Sequence, residues 1–171
     1  MTIELAPYSL DWAWQADQEA DRWSAALGDA LVTVHHIGST AVPNLAAKPI
    51  IDLLPEIAVG IDPDRLRGAV EGMGYEWLGE YGLPRRRYCR RDDPATGRRV
   101  IQAHCWVSGD PEILRHLAFR DALRADPLLI SGYESRKRHC ASLHPNDTEA
   151  YCRCKSTWID TVEAKALETK A

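Results

Sequence analysis

The stretch from Val34 to Ile57 constrains this chain most, because it joins two apolar runs and places an acid inside the second one. Leu31 to Ile37 and Pro49 to Leu54 read as buried strands. Between them come a Gly-Ser-Thr turn, a proline, a small-residue segment and one lysine, Lys48. Gly38 lets the backbone leave the first strand at dihedrals a side chain would forbid. Ser39 and Thr40 then bring hydroxyls and backbone N–H groups into one concavity suited to an anion. Asp52 lies among Ile50, Ile51, Leu53 and Leu54, where a carboxylate is costly unless it is paired, hydrogen-bonded or bound to a metal. Two readings follow: Asp52 is a ligand or catalytic group of a crevice, or it is a buried acid accepting hydrogen bonds from the Gly38–Ser39 turn.

The surrounding sequence supplies a helix before this pair and a helical layer after it. Trp12, Ala16, Ala20, Trp23 and Leu27 recur at helical spacing from Leu10 to Leu27, with Gly28 as the stop. Asp62 and Pro63 open a second helix that runs to Met73 and Gly74 and serves as the return crossover. Tyr75 to Tyr81, Arg85 to Arg91 and Arg98 to Val107 read as hairpin-linked strands. Helices follow from Pro111 to Leu123, from about Leu128 to Leu143 and from about Asp147 onward, separated by Asp126-Pro127 and His144-Pro145-Asn146-Asp147. The expected fold is one α/β (α+β) domain: a mixed sheet with a C-terminal helical layer.

Composition narrows the function. A chain of 171 residues, 45% hydrophobic and 27% charged, suits one core. A net charge of -4 and a pI near 5.9 disfavour bulk nucleic acid and membrane surfaces as partners. The sequence shows neither a membrane span nor a signal-type leader, and five cysteines without such a leader suggest reduced thiols in a cytoplasmic protein.

The segments His36-Ile37-Gly38-Ser39-Thr40-Ala41-Val42-Pro43 and Ala47-Lys48-Pro49-Ile50-Ile51-Asp52 resemble the signature of the GrpB family. The resemblance extends to Pro7-Tyr8, Trp12, Gly74-Tyr75, the strand ending in His104, Phe119-Arg120-Asp121 with Leu123, Tyr133 with Lys137, and Tyr151 with Lys155. It implies a fold like that of nucleotidyltransferases and a nucleotide, or a nucleotide-containing small molecule, as ligand. Nucleotidyl transfer uses carboxylates that hold Mg²⁺ or Mn²⁺ against a phosphate. Two acids at i and i+2 would share one strand face, but here the i+2 residue is Leu54; Glu56 follows at i+4, beyond Pro55. Asp52 is thus the expected metal ligand. His104, on the strand face of Gln102 and Trp106, is its candidate partner as metal ligand or general base. His36 is a similar candidate, whereas the adjacent His35 points to the other face.

For the phosphates the expected contacts are Gly38, Ser39, Thr40, Lys48, Arg86, Lys137, Tyr151 and Lys155. Arg86 is singled out from the arginine-rich hairpin because the resemblance places an arginine there; otherwise that hairpin is a solvated charged ribbon. Tyr133/Lys137 and Tyr151/Lys155 are four apart, so each pair shares a helix face; a packed tyrosine beside a snorkelling lysine is the plain alternative. Tyr8 or Trp12 could flank a ligand, or simply pack the first helix on the sheet. Cys140, His144, Cys152 and Cys154 lack the paired knuckles of a structural zinc site, and Ser39 has no His-Asp relay in sequence. Two functions compete: metal-dependent nucleotidyl transfer to an unspecified acceptor, or a non-catalytic binding or folding-assistance module. The second draws on the resemblance to domains fused to dephospho-coenzyme A kinase and on Leu54.

Overall fold

The computed structural model describes residues 3–169. Its strands are β1 (Leu31–Ile37), β2 (Ile51–Ile57), β3 (Glu76–Trp77), β4 (Arg87–Asp92) and β5 (Arg99–Val107). Its helices are α1 (Asp11–Leu27), α2 (Arg67–Gly72), α3 (Pro111–Ala125), α4 (Pro127–Leu143) and α5 (Thr148–Glu168). The five strands form one mixed sheet in the order β1-β2-β5-β4-β3, in which only β2 and β5 run parallel. A parallel pair cannot be joined by a hairpin. From β2 the chain therefore passes through α2 to the far edge and returns by β3 and β4.

Side-chain alternation along β2 sorts the core into two layers. Ile51, Leu53 and Ile57 meet α1 through Trp12, Ala16, Trp23 and Leu27, together with Ile101, Ala103 and Cys105 of β5. On the opposite face Leu54 packs with Ile37, Trp106 and Ile113 of α3. Leu54 is fully buried there, which gives the i+2 position a packing role where a second acid would otherwise stand. Behind α3, Val42 and Leu45 pack with Leu123 and Tyr133 and so tie the loop between β1 and β2 to the C-terminal helices. Under α1, the buried Glu19 accepts from Arg22, Arg91 and the Tyr75 hydroxyl, and Trp23 Nε1 donates to that hydroxyl.

Three elements depart from the sequence reading. The second strand continues through Pro55 to Ile57. Pro55 lacks an N–H, and the β2–β5 register pairs Ile51, Asp52 and Leu53, then resumes at Glu56, so the missing donor falls in a break of the ladder. The expected strand from Tyr75 to Tyr81 shrinks to two residues because Gly79, Tyr81 and Gly82 adopt positive φ and turn the chain. The crossover helix is a 3-10 turn at Pro63–Leu66 followed by the short α2. Each helix of the C-terminal layer starts on an aspartate: Asp110, Asp126 and Asp147 accept from the N–H groups of Glu112, Leu128 and Ala150. Among the described residues no helix is long and apolar enough to cross a membrane.

Candidate functional site

The site lies where the Gly38 turn meets the start of β2. Gly38 has φ 72° and ψ -170°, and a Cβ on it would sit 2.9 Å from both Cβ and Cγ of Asp52. The position thus requires glycine twice, for its dihedrals and for the close approach of the acid. Gly38, Ser39, Thr40, Lys48, Asp52, Lys137, Tyr151 and Lys155 line one pocket of about 190 Å³. Seven of the eight expected phosphate contacts and the expected metal ligand, Asp52, are therefore brought together by elements distant in sequence: the turn, the loop before β2, β2 itself, α4 and α5.

The pocket is cationic around one carboxylate. Tyr151 carries Lys155 4.2 Å and Lys48 5.5 Å from its ring centre, while the Lys137 ammonium stands 4.9 Å from the Tyr133 ring. Both helical Tyr/Lys pairs thus hold their ammonium groups against aromatic faces, an attraction of ~0.5–2 kcal/mol each. Lys137 also donates to the Ala46 carbonyl and is almost fully buried. Burial, reinforced by the charge of Lys155, pulls its amine down to about 7. Burial likewise lowers Lys155, with Lys48 acting in the same direction. Asp52 moves the opposite way: desolvation lifts its carboxyl from 3.8 to about 6, although Lys48 and Lys155 both favour the charged form. Ser39 hydrogen-bonds the buried Tyr133 hydroxyl. Thr40 donates to the Ile50 carbonyl at 3.4 Å and lies 3.0 Å from His36 Nε2, so its hydroxyl fastens the turn to the loop before β2.

His104 and Arg86 stand outside this lining. His104 Nε2 is 4.0 Å from Asp52 Oδ1, and the ring's Nδ1 lies 3.3 Å from Arg86 Nη1. A guanidinium only donates, so Nδ1 accepts and the neutral ring carries its proton on Nε2, toward Asp52. In that tautomer His104 is a potential donor to Asp52. Burial, with His116, Arg86 and Arg115 nearby, lowers the imidazole to about 3. Arg86 further donates to the carbonyls of Glu80 and Tyr81, holding the turn after β3 in place. The hairpin arginines are similarly engaged: Arg85 with Asp110, Arg87 with Asp64, Arg90 with Glu76, Arg91 with Glu19 and Arg99 with Asp92. Arg120 bonds the His36 carbonyl and pairs with Asp121.

Sequence reading misplaced the histidine pair of β1. His35 is 3.2 Å from Glu56, which also accepts from Ser108, so this acid is committed to structure on the face that carries Asp52. His36 is held by Thr40, and burial with Arg124 and Arg120 lowers it to about 4. The reduced-thiol expectation is also corrected, since Cys140 and Cys154 form a disulfide between α4 and α5. Adjacent antiparallel helices bring these residues together across a sequence separation of 14, a proximity that sequence spacing does not show. Cys152, two residues away on α5, instead lines the pocket. Gln102, Phe119 and Tyr133 line it as well; Gln102 was visible only as the same-face neighbour of His104.

Does this donor set fit a metal? Among the described residues no group of three or more His, Cys, Asp or Glu could hold one. A two-metal centre therefore does not fit, while Asp52 could still supply the one protein oxygen to a Mg²⁺ arriving on phosphates, since Mg²⁺ commonly binds one or two carboxylates plus substrate oxygens.

Fold and site together define a mixed-sheet α+β domain with a lysine-lined pocket at the head of its central parallel strand. The chain belongs to the GrpB family, whose model, described as GrpB protein, matches residues 2–165. The crystal structure of conserved protein GrpB from Enterococcus faecalis is similar over 98% of this chain and 99% of that one, at 38% identity and a TM-score of 0.89. The UPF0157 protein YqkA of Bacillus subtilis is 36% identical over 98% of this chain, which spans 48% of that relative's length. A protein named dephospho-CoA kinase from Mycolicibacterium paratuberculosis is 29% identical over 97% of this chain and 46% of its own.

Proposed function

We propose that the pocket binds the phosphate groups of a nucleotide or nucleotide-containing small molecule. The observation that carries this reading is the convergence of Lys48, Lys137 and Lys155 on a small pocket whose only carboxylate, Asp52, ionises reluctantly. Two ammonium groups and a third lysine poised to take up a proton, set against one acid, favour a multiply charged anion, and the glycine turn adds close backbone approach. When present, Mg²⁺ or Mn²⁺ would screen the phosphates from Asp52 and take that carboxylate as its protein ligand. Lys155 and Lys48 would hold non-bridging oxygens, and Lys137 would gain a proton as the anion enters. His104 would donate to Asp52 and orient it.

The reading is one of binding. Leu54 fills the place of a second acid, so the site lacks the paired carboxylates that ordinary two-metal nucleotidyl transfer uses. The likeness to the protein named dephospho-CoA kinase agrees with a binding module that accompanies other activities. The test is a melting-midpoint panel of nucleoside triphosphates, nucleotide sugars and coenzyme A precursors with Mg²⁺. A ligand at a hundred times its Kd stabilises by ~2.7 kcal/mol, and a domain of this size moves roughly 2–4 °C per kcal/mol. The expected rise is therefore about 5–10 °C in the wild type and much less in Lys155→Met. No shift with any member of the panel rejects the proposal.

A further inference from the structure

A pocket of about 190 Å³ holds a chain of phosphates and little more; sites for whole small molecules span ~300–1,000 Å³. The remainder of a nucleotide must lie outside it. Lys48 and Ile50, which line this pocket, also line a second cavity of about 400 Å³. The two meet at the head of the parallel strand pair. Asp52 is registered against Gln102 and Ile51 against Ile101; Ile50 and Val100, walls of the second cavity, are two residues back from Asp52 and Gln102. Two strand residues span ~6–7 Å, close to the distance separating a terminal phosphate group from the sugar in an extended nucleotide.

The chemistry of the second cavity differs from the first. Trp12, Pro49, Ile50 and Val100 give it apolar surface, and Arg98 brings a planar guanidinium, a group that stacks on aromatic faces. Glu4, Asp93 and Thr96 add oxygen atoms able to accept from ring amino and N–H groups. From this we infer that the second cavity is the base subsite: the ligand straddles Lys48, with its phosphates in the lysine pocket and an aromatic heterocycle bearing N–H donors stacked on Arg98 over the apolar floor of Pro49, Ile50 and Val100. The inference rests on the proposed phosphate site and assigns the other half of the same ligand.

Calorimetry with Mg²⁺ separates the two halves, using inorganic triphosphate and adenosine triphosphate as probes. If a stacked base contributes as it does elsewhere, adenosine triphosphate binds the wild type about tenfold or more tightly than inorganic triphosphate. Gln15→Trp on α1 and Thr96→Trp in the turn between β4 and β5, both at exposed lining positions, are chosen to fill the second cavity without disturbing the core. Each should bring adenosine triphosphate down to the affinity of inorganic triphosphate and leave the latter unchanged, with melting midpoints near that of the wild type. Equal wild-type affinities for the two probes would overturn the base subsite and keep the phosphate site. A preference that survives both filled cavities, or a loss shared equally by both probes, would also overturn it. Binding of neither probe to the wild type overturns the phosphate site and this subsite with it.

Discussion

Replacing Asp52 by Asn should make the protein more stable at neutral pH, and the gain should disappear in acid. The carboxyl is raised from 3.8 to about 6, chiefly by desolvation. Between those values the folded chain binds more protons than the unfolded one, so stability falls as pH rises through this window and stays lowered above it. At ~1.4 kcal/mol per unit, the penalty at pH 7.5 is at most ~3 kcal/mol. The amide is uncharged at every pH, but it is itself a polar group to bury, at ~1–2 kcal/mol. The net gain expected is about 1–2 kcal/mol, or roughly 2–8 °C in the melting midpoint at pH 7.5. Melts of both proteins at pH 7.5, 6, 5 and 4 without ligand should show the gap narrowing steadily and crossing zero at about pH 5, with the variant roughly 1 kcal/mol the less stable at pH 4, where only its amide burial cost remains. A variant less stable than the wild type at pH 7.5, or a gap independent of pH, would refute the account of Asp52 as a desolvated and underpaired acid. With saturating nucleotide and Mg²⁺ the order should reverse, because the destabilising charge is the one the ligand uses.

The remaining expectations concern the frame around that acid. Gly38→Ala should cost more than Gly28→Ala in urea melts, because both have positive φ but a Cβ meets Asp52 only at Gly38; a strained backbone alone accounts for ~1–3 kcal/mol. His104→Gln should flatten the acid loss of stability: the imidazole is held near 3 and stays neutral while the unfolded chain protonates below 6.5, so the wild type should lose about 2 kcal/mol from this group between pH 7 and pH 5. Glutamine keeps an acceptor for Arg86, and an unchanged urea-midpoint slope against pH would show that the ring does not titrate this way. Glu19→Ala leaves Arg91 and Tyr75 without their shared carboxylate and should lower the midpoint by roughly 5–10 °C, in line with ~2–3 kcal/mol for an opened buried pair. In thiol titration without reductant, Cys152 should react quickly and the buried Cys89 and Cys105 only on unfolding; Cys140 and Cys154 should appear after reduction.

Local rules sufficed for much of this protein. Helical periodicity in Trp12, Ala16, Trp23 and Leu27 located α1, and the Asp-Pro pairs marked where α3 and α4 begin, because capping and proline geometry act within a few residues. Alternation put Asp52 on one face of β2, and four-residue spacing put each Tyr/Lys pair on one face of its helix. The glycine turn was legible for the same reason, as a strand exit that only glycine tolerates. What sequence left open were relations between elements. The rank of β2 beside β5 decided that Leu54 faces α3 and fills the core, where strand spacing alone offered an empty place for an acid. That Arg86 pins the turn after β3 through the carbonyls of Glu80 and Tyr81 was not legible in a hairpin of many arginines, because the turn's return decides it. Cys140 and Cys154 met only because α4 and α5 pack antiparallel. Spacing fixes which residues share a face, since that depends on the chain's own periodicity; which faces meet, and which groups find their partners first, depends on packing across the whole domain, and the tertiary structure alone decides it.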